Sequence, residues 1–134
     1  MTIVVDDLAL LLTSNSIVAA PVSLVKGRLP EGPDSLVAIT EYGGLPPVVT
    51  HDGGVRRYPR CQVIVRDPSP RVARQIAQDI YSLFLATRGW TDTALVVNGT
   101  QYEVIVPLQE PFPLSFDTIG RTSIACNYEA RFSG

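Results

Sequence analysis

The dipeptide Asn98-Gly99 constrains the fold more strongly than any other feature of this 134-residue sequence. It separates two runs rich in β-branched residues, 93–97 and 100–107. Asn-Gly tolerates the positive φ angles that both central positions of a type I′ turn require. We therefore predict a β-hairpin with a two-residue turn, whose two strands are antiparallel.

Two further segments have the pattern of strands. Segment 123–132 alternates with the period of two that is typical of a strand with one buried face. Its predicted core face carries Ile124, Cys126, Tyr128, Ala130 and Phe132, and its other face carries Ala125, Asn127, Glu129 and Arg131. Segment 61–66 places Cys61, Val63 and Val65 on one face and Ile64 on the other, so we expect both faces of this strand to be partly covered.

Two segments have helical periodicity. The first carries apolar residues at Val4, Val5, Leu8, Leu11 and Leu12 and predicts a helix that ends near 13–16. Asp6 and Asp7 lie in its first turn, where acids suit the helix dipole. The second has an apolar stripe of Val72, Ile76, Ile80, Leu83 and Phe84. Ser69 is its predicted N-cap, Pro70 its first residue and Gly89 its stop signal.

The turn between strand 61–66 and the second helix is the position where many proteins bind a nucleotide phosphate. Such a cradle requires glycines, so that backbone N–H groups can approach the anion closely. Segment 66–71 has no glycine, contains two prolines that lack an N–H, and carries the negative charge of Asp67. We therefore predict that this turn is structural and binds no nucleotide.

The region before strand 61–66 is less regular. Segment 35–42 predicts a strand that Gly43 and Gly44 close. Segment 45–59 is rich in Pro and Gly and predicts an irregular loop, with at most a short edge strand around Val48 and Val49. The order of elements predicts an α+β fold in which two helices pack on one face of a mainly antiparallel sheet, in a single domain over 1–134.

The composition and net charge of the sequence argue against several classes of protein. No run of about 18 apolar residues is present, so we expect no membrane span. The first twelve residues lack a basic segment, so we expect no secretory signal. A formal net charge of −2 argues against a protein that neutralises many phosphates. The charged fraction of 18% is below the usual value of roughly 25% and favours a surface that contacts other subunits.

The candidates for chemistry are few. The two cysteines, Cys61 and Cys126, are predicted to be reduced, buried thiols in an intracellular setting. A pair of Cys61 with His51, the single histidine, would be the arrangement of a small cytosolic cysteine-dependent hydrolase. However, Cys61 belongs to an apolar strand face and His51 to a loop, so we predict no catalytic residue. We also predict no metal site and no cofactor site, because no ligand spacing or nucleotide motif is present.

Arg56, Arg57 and Arg60 surround Tyr58 and are candidates for contact with DNA or a partner protein. A nucleic-acid-binding module would use them in this way. The alternative is a solvated loop beside a strand edge, where positive charge discourages unwanted strand pairing.

The Pro-rich loop 108–122 contains Phe112, Leu114 and Phe116. These side chains either fold back on the core or form an arm that docks on a neighbouring subunit, since exposed apolar patches mark contacts. Together with Arg121 they are our candidates for a subunit interface.

Three motifs in order suggest a family. They are Leu29, Pro30, Pro33 and Asp34; the segment Glu41 to Pro47; and the helical pattern from Ala73 to Leu83. With the closing segment up to Phe132, the chain resembles the small tail-completion proteins of long-tailed bacteriophages. These proteins are often described as minor capsid proteins and are related to tail terminators.

The resemblance implies a non-enzymatic structural protein of the virion, with a fold similar to that of tail-tube proteins. Its subunits are expected to form a ring, commonly a hexamer, at the head-proximal end of the tail. The ring would stop polymerisation of the tail tube protein and provide the docking surface for the head completion or connector protein. DNA would pass through its channel without specific binding, and assembly would take place in the host cytoplasm. The alternative within the virion is a head-completion or connector (minor capsid) protein.

Overall fold

The computed structural model describes residues 4–18, 22–27, 29–49, 51–86, 95–114 and 120–133. This part of the chain contains two helices and seven strands. In chain order they are α1 (Val4–Ser14), β1 (Ser23–Lys26), β2 (Leu36–Val49), β3 (Val55–Asp67), α2 (Pro70–Leu85), β4 (Leu95–Val97), β5 (Thr100–Pro107), β6 (Phe112–Pro113) and β7 (Thr122–Ser133).

The strands form one sheet in the order β1-β2-β3-β7-β5-β4, with β6 also paired to β7. Every pair is antiparallel except β1 with β2, which is parallel. The predicted α+β class with a mainly antiparallel sheet is therefore confirmed. The short strands β1 and β6 were not predicted, because four residues and two residues are too few to show a period.

Both helices pack on one face of the sheet. That face carries Cys61, Val63 and Val65 of β3 and the predicted core residues of β7, and all of them belong to one apolar cluster with α1 and α2. The Phe84 ring of α2 meets the Tyr128 ring edge-on, with 4.7 Å between centroids. We call the opposite face, which carries Ile64 and Glu129, the second face of the sheet.

The buried stripe of α2 differs from the predicted one. Ala73, Ala77, Ile80 and Phe84 are buried, whereas Val72 is 42% exposed. Small alanine side chains allow the helix to approach the sheet closely. The buried stripe therefore contains Ala73 and Ala77, each one residue after the predicted Val72 and Ile76.

The start of α2 matches the prediction. The Ser69 Oγ accepts a hydrogen bond from the Val72 N–H at 3.4 Å, and Pro70 occupies the first helical position. The Asp67 carboxylate accepts from the Ser69 N–H at 2.8 Å and from the Ser35 hydroxyl. The Asp67 side chain therefore serves the turn itself. Gly89, the predicted stop, lies outside the described residues, and α2 ends at Leu85.

The predicted hairpin is formed by β4 and β5, with positive φ angles of 49° at Asn98 and 78° at Gly99. Its turn is tied to α1. The Asn98 Nδ2 donates a hydrogen bond to Asp7 at 2.9 Å, and the Tyr102 hydroxyl donates a second one. Asp7 lies in the first turn of α1, as predicted, and its side chain is buried. Such burial is tolerated because both carboxylate oxygens have donors.

We predict that Tyr102→Phe destabilises the protein by about 1–3 kcal/mol, because it leaves a buried carboxylate oxygen without its donor. Tyr42→Phe is the matched control, since the Tyr42 side chain is exposed, and it should change stability by less than about 0.5 kcal/mol. Urea unfolding followed by circular dichroism measures both. Equal effects of the two substitutions would contradict the proposed anchor between α1 and the hairpin.

Candidate assembly surfaces

The most prominent surface is a long hairpin made by the distal parts of β2 and β3. Residues 36–39 of β2 are buried, whereas every residue from 41 to 49 is exposed. We call the described residues of this hairpin, 41–49 and 51–60, the arm. β1 pairs only with Leu36–Ile39, so among the described strands none pairs with the outer edge of β2 along the arm.

The arm corrects the sequence prediction for 43–59. The strand does not end at Gly43 and Gly44, and the segment after it is not an irregular loop. The pairing of β2 with β3 shifts register between Tyr42 and Gly44 and again between Leu45 and Val48, so each Gly or Pro pair lies at an irregularity of the strand. An edge strand tolerates proline because one side of its backbone has no ladder to complete.

Large apolar side chains are exposed along the arm. Tyr42, Leu45 and Val48 are 40–52% exposed, and Val49 is 73% exposed. At the base of the arm lies a groove of about 340 Å³, which Val4, Tyr58 and Phe132 help to line. Exposed apolar side chains grouped on one hairpin are typical of a protein contact.

The three arginines near Tyr58 do not form a single patch. The Arg57 side chain lies on the helix-bearing face, because Arg57 is directly opposite Phe132 in the register. Arg56 and Arg60 lie on the second face, where Arg56 pairs with Glu103 and Arg60 with Glu129. The two cations on the second face therefore each have a carboxylate partner within the subunit.

Glu129 is the centre of a charged cluster on the second face. Its side chain is 2% exposed, and it accepts hydrogen bonds from the Arg60 Nε at 3.0 Å and the Arg131 Nε at 2.8 Å. The Arg131 guanidinium also lies 6.0 Å from the centroid of the Tyr58 ring. Burial raises the pKa of Glu129, but the hydrogen bonds and charges of Arg131 and Arg60 outweigh it, so the pKa lies below its ordinary value.

A second loop is held by two buried arginines. Arg66 donates from Nη1 to the Pro30 carbonyl at 2.6 Å and from Nη2 to the carbonyls of Glu31 at 3.1 Å and Pro33 at 2.7 Å. Arg121 donates to the Glu31 carbonyl and to the Asp34 carboxylate, the latter at 3.3 Å. We call residues 29–34 the clamped loop; the first of the three sequence motifs forms it.

The candidate interface residues occupy different environments. Phe112 is half-buried and belongs to β6, which pairs with β7, so it folds back on the subunit. Leu114 is exposed beside the same strand. The Arg121 side chain is buried against the clamped loop. Phe116 lies outside the described residues.

His51 and Cys61 are not brought together. His51 is exposed in the turn at the tip of the arm, whereas Cys61 is buried in the core. Six residues of extended strand from Val55 to Cys61 correspond to about 20 Å. Burial raises the pKa of the Cys61 thiol to about 12, and the nearby negative charge of Glu41 makes a smaller contribution in the same direction. The thiol is therefore protonated at neutral pH. Cys126 is also a buried, free cysteine. Its thiol donates a hydrogen bond to the Gln109 carbonyl, with 3.2 Å between sulfur and oxygen.

The described residues show neither a metal site nor a membrane-spanning helix. They contain no group of three or more His, Cys, Asp or Glu side chains placed to hold a metal ion. Among their helices, neither is long and apolar enough to cross a membrane.

Comparison with solved structures establishes the class of fold. A chain in the structure described as "Virion of native gene transfer agent (GTA) particle" matches with a TM-score of 0.64 and 14% sequence identity. The match covers 96% of this chain and 93% of that chain. A comparison with curated proteins found no match.

The family model of the bacteriophage tail terminator protein matches residues 11–133. The chain therefore belongs to the bacteriophage tail terminator family, and the predicted resemblance is confirmed. It is a structural protein of the phage virion, in its tail.

We predict that Gly44→Ala disturbs the arm. A Cβ at Gly44 would lie 2.5 Å from the Tyr58 carbonyl oxygen and 3.1 Å from the Pro59 Cα, both of which are backbone atoms. Forcing the two strands apart should cost about 1–3 kcal/mol. The neighbouring Gly43→Ala is the control, since its Cβ would have no atom within 4 Å. Unfolding and amide hydrogen exchange across the arm measure both, and equal exchange rates would contradict the packing described.

We predict that Glu129→Gln destabilises the protein by about 1–3 kcal/mol at neutral pH, less than for a fully buried pair because both arginines keep contact with water. Since the folded pKa of Glu129 is lowered, its stabilisation is present above the unfolded value of about 4.3 and is lost as the pH falls through the folded pKa. The difference from the wild type should therefore shrink in acid. Glu103→Gln, which breaks the exposed pair with Arg56, should cost less than about 0.5 kcal/mol. Urea unfolding at about five pH values between about pH 3 and pH 7 measures the free energy of unfolding of both variants.

Proposed function

We propose that this protein forms a closed ring at the head-proximal end of the tail. The ring has six subunits in this proposal, as is common for the family that the sequence resembles. The ring stops polymerisation of the tube and offers the surface on which the head completion or connector protein docks. It acts through assembly and not through catalysis. The observation that carries this proposal is the arm, with its unpaired β2 edge and exposed apolar side chains.

A ring requires each subunit to present two different surfaces, because a heterologous contact joins one patch to another until rotation closes the set. The two ends of this sheet differ. One end carries β1 and the arm beyond it, and the other end is the three-residue strand β4, where Val96 is 60% exposed. Unpaired backbone groups at a sheet edge readily bind a further chain. The arm is therefore suited to reach across to a neighbouring subunit.

The charge distribution suits a channel through which DNA passes without specific binding. The formal net charge is −2, and Arg56 and Arg60 are paired with carboxylates of their own subunit. A protein that held DNA through its phosphates would need several unpaired cations on one surface.

The test is the oligomeric state of an arm variant. Val49→Asp places a charge on the most exposed apolar residue of the arm and should weaken subunit association by about tenfold or more, as for a residue at the centre of an interface. Val72→Asp on the surface of α2 is the control and should leave association unchanged. Native mass spectrometry and sedimentation measure the assembly, and urea unfolding verifies that both variants are folded.

A wild-type protein that stays monomeric at all concentrations, and also in the presence of tail tubes, would show that the ring proposal is wrong. Cross-linking to portal-side subunits in place of tube subunits would favour the head-completion alternative.

A further inference from the structure

Two guanidinium groups are fixed side by side on the second face of the sheet. Arg60 and Arg131, which we call the guanidinium pair, each use Nε to donate to the buried Glu129 carboxylate. Within the described part of the chain, their Nη groups make no hydrogen bond. The two side chains are 32% and 41% exposed, so these donors face solvent.

The burial of Glu129 has a consequence for its partners. Burying a carboxylate is costly unless donors satisfy it, and here the donors come from two arginines that hold each other in place through it. One negative and two positive charges leave the cluster with a net charge of about +1. The cluster is thus a preformed fork for an anion, in which two long side chains have already lost their rotamer freedom.

A carboxylate with the complementary properties lies on the clamped loop. The Glu31 carbonyl accepts hydrogen bonds from both Arg66 and Arg121, so the backbone of this residue is fixed. Glu31 is exposed, and its carboxylate makes no hydrogen bond or ion pair within the described residues. The subunit therefore presents one acid on a fixed backbone and one pair of bases held by Glu129.

The guanidinium pair and the Glu31 carboxylate are not in contact within the described residues of one subunit, since both arginines bind Glu129. Arg66 contacts the backbone of Glu31, and it lies six residues along β3 from Arg60, a distance of about 20 Å. Both arginines lie on the second face, at opposite ends of that stretch of strand. The acid and the bases are therefore available for a contact between two copies of the chain.

We propose that Glu31 of one subunit binds between Arg60 and Arg131 of the next subunit in the assembly. This contact rests on the proposed ring and names one of its heterologous ion pairs. A protein carboxylate fits the site better than DNA does, because the cluster has about one unit of net positive charge and Arg56 beside it is neutralised by Glu103. The exposed Tyr42 and half-buried Tyr58 nearby also provide apolar surface that suits a protein partner.

Engineered cysteines test the proximity. In the assembled protein, Glu31→Cys combined with Arg131→Cys should give a ladder of covalent multimers under oxidising conditions. Asp79→Cys combined with Arg131→Cys is the control, because Asp79 is exposed on α2, on the other side of the sheet, and it should give no ladder. The native Cys61 and Cys126 are buried and can remain in place.

A double-mutant cycle tests the energy. Glu31→Gln and Arg131→Gln should each weaken subunit association by about 3- to 10-fold, and the double variant should be no weaker than the weaker single one. Arg56→Gln is the matched control, since Arg56 lies on the same face with its guanidinium paired to Glu103, and it should leave association unchanged.

The outcomes separate this contact from the ring itself. Rings that form normally in both single variants and give no covalent ladder would overturn the contact and leave the ring proposal standing. A wild-type protein that never associates would overturn both. If Arg131→Gln weakened binding of a short DNA duplex and did not affect association, the guanidinium pair would be a nucleic-acid site and the contact with Glu31 would be wrong.

Discussion

The pairing of β7 with β3 is the interaction on which the rest of the structure depends. β7 lies between β3 and β5 and also pairs with β6, so it joins the two halves of the sheet. Its alternation sends Cys126, Tyr128 and Ala130 to the helices and Glu129 to the second face. One strand thus builds the apolar core on one side and the charged cluster on the other. The register that aligns Arg60 with Glu129 is the same register that aligns Cys61 with Tyr128 in the core.

The core part of β2 is buried, whereas its part in the arm is exposed to solvent. Residues 36–39 of β2 are buried, whereas beyond Thr40 every residue of β2 is exposed. A hairpin of this length exposes backbone groups and apolar side chains that an isolated subunit cannot cover. The arm therefore presents surface for a partner, which is consistent with a family whose members are structural proteins of phage tails.

The elements that the sequence predicts well are those whose signals are local. Asn98-Gly99 determines its own turn, Ser69 and Pro70 determine the start of α2, and the alternation of 123–132 determines which side chains of β7 face the helices. Of the arm, the sequence predicted only the short edge strand around Val48 and Val49, which the pairing confirms. Its full length was missed because Pro46 and Pro47 normally argue against a strand. The burial of Asp7 and Glu129 was missed for a related reason. Their partners are distant in sequence, Tyr102 for Asp7 and Arg60 for Glu129, and no short-range pattern specifies such pairs. Family resemblance supplied the functional class, whereas it could not supply these contacts.

The conformation of the clamped loop is held by hydrogen bonds to its backbone, so it does not depend on the side chain at position 31. Arg66 holds the loop through the carbonyl oxygens of Pro30, Glu31 and Pro33, and a carbonyl oxygen is present whatever residue occupies position 31. A mutation there changes the chemistry displayed to the outside without altering the scaffold that displays it. Related phages could therefore diversify which neighbour a subunit recognises while they inherit an unchanged fold.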